Sequence, residues 1–232
     1  MRARAFARVL AATVVATAAT KVAATAVVVA LAGCVSTRPG DRPAAGTTHA
    51  DALAVLSQAG ALPPSGRGLV ALVFISPECP IANAMVPDLV VASREARQLG
   101  VAFAAVHPTP WADDAALRDH ARDFEIEGAF PIVADRSLAV ARMAGATVTP
   151  EAALLRLDDH GGVAVLYLGR VNDLYTAIGR RRAAATSNDL IEAMRAASRG
   201  SVVASPAPRA IGCFIAGASS EPTPRTPTGA PR

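Results

Sequence analysis

Residues 69–80 read Leu-Val-Ala-Leu-Val-Phe-Ile-Ser-Pro-Glu-Cys-Pro. The first seven are apolar without a break, too few to span a membrane and too unbroken for a half-exposed strand. That suits a short strand buried on both faces. A helix is expected over residues 79–100, with Ile81, Met85, Leu89, Ala92 and Ala96 along one face. Cys79 therefore stands where strand passes into helix. Backbone N–H groups point outward there and the helix dipole favours an anion, so a thiolate would be stabilised. Pro80 fits the first helical turn, where its missing N–H leaves no bond unmade. The alternative is a buried, structural cysteine.

Working outward, Val101–Val106 is a second buried strand and Asp113–Ile126 a helix with Leu117, Ala121 and Phe124 inward. Phe130–Ala134 is a third strand, followed by a short helix ending at Met143. Glu151–Leu157 and Val163–Gly169 flank Asp158-Asp159-His160-Gly161-Gly162, the pattern of a hairpin. Asn188–Ser198 closes the series as a helix with Leu190, Ile191, Met194 and Ala197 on one side. The order β-α-β-α-β-α-β-β-α implies an α/β sandwich whose sheet is parallel in one part and antiparallel at the edge. His107 ends the second strand. Beside Pro108 it is expected as a solvated loop histidine, with a base or ligand role near Cys79 as the alternative. His120 is expected to face water, Trp111 to cap its helix against the sheet, and Arg180-Arg181-Arg182 to form a solvated turn.

The 232 residues contain 23 Lys or Arg and 19 Asp or Glu, a net charge of +4. Arg2, Arg4, Arg8 and Lys21 fall within residues 1–33, which hold no acid, so that segment carries the whole excess. The remainder is neutral, and the electrostatic case for a nucleic-acid partner goes with the segment. Its basic start, the uncharged run Val22–Gly33 and the following Cys34 have the layout of a secretory signal. Leu31-Ala32-Gly33-Cys34 resembles the bacterial lipobox, in which the cysteine is acylated. That resemblance implies a signal over 1–33, lipidation at Cys34, and work on the periplasmic side of a bacterial membrane, where thiols tend to oxidise. Residues 34–48 read as a flexible tether. A globular domain is expected over 49–200, an extension carrying Cys213 over 201–216, and a Pro- and Thr-rich disordered tail over 217–232.

Three features of the globular part resemble the thioredoxin-like superfamily. Val73-Phe74-Ile75-Ser76-Pro77-Glu78-Cys79-Pro80 looks like its strand and active-site turn. Pro87 matches the proline that kinks the active-site helix, and Thr149-Pro150 looks like the cis-proline facing the active-site cysteine. The resemblance spans about residues 65–200 and is nearest to bacterial extracytoplasmic redoxin-domain proteins. It implies a thioredoxin-like α/β/α sandwich, with Ser76, Pro80, Thr149 and Pro150 around a working Cys79.

The departures bear on chemistry. Ala82 stands where a C-x-x-C dithiol has its second cysteine. Ser76 and Pro80 match the one-cysteine turn of peroxiredoxins, but Leu72 stands where their proline should be, and no arginine can be assigned the peroxide-activating role. Asn83 occupies the second position of the C-x-x-x-C of copper-delivery relatives, so no soft-metal site is expected. No C-x-x-C-H is present to attach haem, and no cofactor is implied. With Cys34 lipidated, Cys79 and Cys213 are the two remaining thiols. Cys213 could resolve a mixed disulfide. It could instead pin the extension permanently, worth about 4–5 kcal/mol by loop-closure entropy. Or the two could never meet. The resemblance implies a lipid-anchored, extracytoplasmic thiol-dependent oxidoreductase acting on a protein disulfide, a thiol donor or peroxide. The alternatives are a thiol peroxidase working through a Cys79 sulfenic acid and a non-catalytic binding or scaffold module.

Overall fold

A computed structural model describes residues 48–218. The segment expected as a signal over 1–33, Cys34, the expected tether up to residue 47 and the tail from residue 219 lie outside the described residues. In chain order the elements are α1 (His49–Gln58), β1 (Gly68–Phe74), α2 (Pro80–Ala84), α3 (Val86–Gln98), β2 (Ala102–His107), α4 (Asp114–Asp123), β3 (Ile132–Ala134) and α5 (Ala139–Ala144). They continue with β4 (Val148–Thr149), β5 (Glu151–Leu157), β6 (Val163–Gly169), β7 (Tyr175–Ala177), β8 (Arg180–Arg181), α6 (Asp189–Ser198) and β9 (Cys213–Phe214).

Five strands form the main sheet in the order β3-β2-β1-β5-β6. β1 pairs in parallel with β2, and β2 with β3; β5 runs antiparallel to β1, and β6 to β5. Alternation along β1 divides the core in two. Ala71 and Val73 pack with Ile81, Leu89, Ala92 and Ala96 from α2 and α3 and with Leu190 and Met194 from α6. Val70, Leu72 and Phe74 pack on the other face with Ala52 and Leu56 from α1 and with Val140 and Ala144 from α5. Helices thus cover both faces, which is why the central strand is apolar throughout. This is the thioredoxin-like α/β/α sandwich with a mixed sheet.

The strands expected at 69–75, 101–106, 130–134, 151–157 and 163–169 form within a residue or two of those bounds. The long helix divides at Met85, and Pro87 falls in the first turn of the second part, because a proline ring there would strike the carbonyl of Asn83 in a continuous helix. Phe124 is partly exposed rather than inward, because α4 ends before it and Ile126 fills the core. Sequence periodicity assigns no element before Leu69, yet α1 forms there. A capping box starts it: Thr48 N donates to Asp51 Oδ2 at 2.8 Å and Asp51 N to Thr48 Oγ1 at 3.3 Å. Arg180 and Arg181 lie in the β7–β8 hairpin, exposed, and Arg182 pairs with Asp173 at 3.3 Å.

Beyond α6 the chain crosses back over the sheet as a strap. Pro208 O accepts from Arg170 N at 2.9 Å, just past the end of β6. A Cβ on Gly169 would stand 2.6 Å from that carbonyl, so only glycine permits the crossing. β9 then pairs antiparallel with β4, placing Val148 opposite Phe214 and Thr149 opposite Cys213. Ile215 follows, buried in the α1–α5 core, with its N–H on Thr147 O at 2.9 Å.

Candidate active site

Cys79 N–H bonds Ser76 O at 3.0 Å, closing the turn after β1. Cys79 is the N-cap of α2, and Ala82 N donates to its sulfur at 3.5 Å. Pro80 occupies the first helical turn, as its geometry favours. The Cys79 thiol donates to Thr149 O at 2.9 Å, and the Thr149-Pro150 peptide is cis, leading directly into β5. Cys79 is only 1% exposed.

The strap supplies the second sulfur. Gly212 lies on the Thr149–Pro150 backbone so closely that a Cβ would fall 1.9 Å from Thr149 O. That approach brings Cys213 beside Cys79: strand pairing sets Cys213 opposite Thr149, whose carbonyl accepts the Cys79 thiol, and both cysteines line one cavity. Both cysteines are free thiols, Cys79 buried and Cys213 exposed. Burial raises the Cys79 pKa, but hydrogen bonding from Cys213, from the Thr149 side chain and from the Ala82 N–H outweighs it, and the thiol is held below its ordinary range. Cys213 moves the other way, pushed up to about 11 by partial burial, by its hydrogen bond to Cys79 and by the negative charge of that sulfur.

A cavity of about 130 Å³ opens beside the pair, lined among others by Ser76, Glu78, Thr109 and Trp111. Ser76 Oγ donates to the Glu78 carboxylate, holding it below the usual carboxylate range against partial burial. Trp111 is 62% exposed at the cavity mouth and does not cap α4. That role falls to Asp113, whose carboxylate accepts from Ala116 N at 2.8 Å.

Neither histidine is solvated as expected. His107 is fully buried and His120 nearly so, because the His120 ring, from the C-terminal half of α4, lies against the His107 ring at the end of β2. Their rings meet edge to face at 5.1 Å. Burial, then the neighbouring His120, pushes His107 down to about 3, so it is neutral; burial also lowers His120. His120 Nε2 meets Asn83 Oδ1 at 2.9 Å, and Asn83 Nδ2 donates to Pro77 O at 2.8 Å, which ties the histidine pair to the Cys79 turn.

The structure thus gathers Ser76, Cys79, Pro80, Thr149, Pro150 and Cys213 at one end of the sheet. Sequence reading missed Glu78 and Gly212. The position of Glu78 beside Cys79 was a signal for the first. For Gly212 the signal was a glycine immediately before the second thiol.

No family model matches the chain, and no curated protein does. Among solved structures, a hypothetical protein of Sinorhizobium meliloti is similar at a TM-score of 0.54 and 22% identity, over 69% of this chain and 82% of its own. An uncharacterized conserved protein of Geobacillus kaustophilus is similar at 0.52 and 20%, over 64% and 77%. A secreted disulfide oxidoreductase of Mycobacterium tuberculosis matches at 0.35 and 19%, over 56% and 81%. The first two likenesses are likenesses of fold.

Proposed function

We propose that this chain is a thiol-dependent oxidoreductase that alternates between a Cys79/Cys213 dithiol and the corresponding disulfide. The observation that carries this reading is the juxtaposition of the two thiols: β4–β9 pairing holds Cys213 opposite Thr149, and the Thr149 carbonyl accepts the Cys79 thiol. A C-x-x-C protein keeps its second thiol in the same helix; here the strap offers one from across the sheet. In the dithiol form no covalent bond ties the strap to Cys79; once the strap lifts, the Cys79 sulfur, stabilised as an anion, is the nucleophile toward a protein disulfide, and Cys213 then attacks Cys79 of the mixed disulfide and frees the reduced partner. The redoxin-type turn and the lipobox-like Leu31–Cys34 support placing this activity outside the cytoplasmic membrane, on a lipid anchor at Cys34.

The test is thiol titration of the full chain before and after diamide, with Cys79→Ser and Cys213→Ser as controls. Rapid loss of two thiols, abolished in either variant, is the expected result. Catalytic consumption of hydrogen peroxide dependent on Cys79 would move the assignment to a thiol peroxidase. Inertness to both oxidants would leave a binding or scaffold module. Loss of radiolabelled palmitate from Cys34→Ser would check the anchor.

A further inference from the structure

Resting on the dithiol reading above, the arrangement of the strap distinguishes the two sulfurs. Cys79 lies beneath the strap, 1% exposed, with Thr149 O and Ala82 N against its sulfur. Cys213 is on the outer side, exposed, beside Phe214 at 87% exposure. The strap is held on both sides of it, at Pro208 by Arg170 N and at Ile215 by burial and Thr147 O. The cavity beside the pair, about 130 Å³, is too small to admit a polypeptide segment as far as Cys79.

We propose that in the disulfide form the external thiol attacks Cys213 and not Cys79, so that Cys213 is the entry sulfur and carries the mixed disulfide during reduction. The donor is a dithiol, presented on an open surface flanked by Phe214 and Trp111. In the first step one donor thiolate bonds to Cys213 Sγ. The Cys79–Cys213 bond breaks, and its electron pair leaves on Cys79 as a thiolate that accepts from Ala82 N–H. In the second step the other donor thiolate attacks the donor sulfur of the mixed disulfide. The Cys213 thiolate departs and takes up a proton. Two electrons pass to the protein, and the donor becomes a disulfide.

Two independent considerations agree on this direction. A nucleophile must reach the sulfur it attacks, and only Cys213 is open to solvent. The sulfur that departs fastest is the one whose thiolate is better stabilised, and Cys79 keeps its place at the start of α2 with the Ala82 N–H on its sulfur.

The experiment oxidises the full chain with diamide and maps the Cys79–Cys213 bridge by peptide mass spectrometry. Failure of the bridge to form removes the dithiol reading and this inference together. The bridged protein is then mixed with excess glutathione, acid-quenched over a series of times, and alkylated with N-ethylmaleimide. Glutathione on Cys213 with the maleimide on Cys79, in at least about tenfold excess over the reverse, is the expected result. Glutathione on Cys79, an even split, or reduction with no Cys213 adduct at any quench time overturns the inference and leaves the dithiol reading intact. In Ile215→Asp, where the strap is released, the preference falls at least severalfold. An unchanged preference there would also overturn it, since docking would not be its source.

Discussion

Thr149 faces Cys213 across the two-residue β4–β9 ladder while its carbonyl accepts the Cys79 thiol at 2.9 Å. One residue therefore touches both sulfur-bearing residues, and its backbone sets their separation. The strap reaches this position because residue 212 has no side chain.

Gly212→Ala tests that statement. The added methyl would lie 1.9 Å from Thr149 O, against a comfortable separation of about 3.5 Å or more, and the obstacle is backbone. The strap lifts off β4 while the five-stranded sheet stays intact. Diamide-driven bridging of Cys79 and Cys213 slows at least about tenfold, and circular dichroism is unchanged. Bridging at the original rate would show that the close approach is not needed.

Cys213→Ala removes a hydrogen-bond donor from the Cys79 sulfur. Loss of a donor to the charged form raises a thiol pKa, so the Cys79 titration, followed by ultraviolet thiolate absorbance in a Cys34→Ser background, moves upward. A downward shift would mean that burial, not Cys213, dominates the balance at Cys79.

Ile215→Ala weakens the lower anchor of the strap. Truncating a buried isoleucine costs about 2–5 kcal/mol, here drawn from docking of the strap more than from the global fold. Amide exchange at Ile215, whose N–H bonds Thr147 O, accelerates, and tryptic cleavage after Arg209 quickens. Denaturant unfolding of the sheet changes far less than either.

Acid destabilises the protein through His107. Its folded pKa is pushed down to about 3 from an unfolded value near 6.5, so between those values the unfolded chain binds the extra proton. Stability is therefore lost as pH falls through this window, at about 1.4 kcal/mol per pH unit for one proton. His107→Leu removes that component, and the difference between variant and wild-type urea stability narrows or reverses from pH 7 to pH 4. A constant difference would mean that His107 is not buried neutral.

Much of the fold was legible because its signals were local. β1 and β2 announced themselves as unbroken apolar runs, and β5 and β6 as a pair around a glycine loop. α1 carries only two fully buried residues, Ala52 and Leu56, behind a polar approach, so its face gave too little contrast. β4 and β9 are two residues each, too short for any periodicity, and they pair across more than sixty residues of chain. The candidate site shared this division. Cys79 could be placed from the strand-to-helix turn alone, whereas the approach of Cys213 depends on a tertiary crossing over Gly169 and Gly212. His107 and His120 were misjudged for a related reason: burial came from α4 packing across the end of β2, and nothing adjacent to either residue in sequence records it.

The two anchors of the strap, Pro208 and Ile215, have a kinetic meaning. A thiol carried on a free tail would visit Cys79 at an effective concentration of roughly millimolar, diluted further as the tail lengthens. A thiol on a short bridge fixed at both ends is confined to the neighbourhood of its partner, and its local molarity is set by geometry. Free thiols in the surroundings must compete with that local molarity to hold the pair open. The chain's oxidation state is then governed by the strength of the oxidant it meets and by how often the strap opens, far more than by the ambient dose of monothiol.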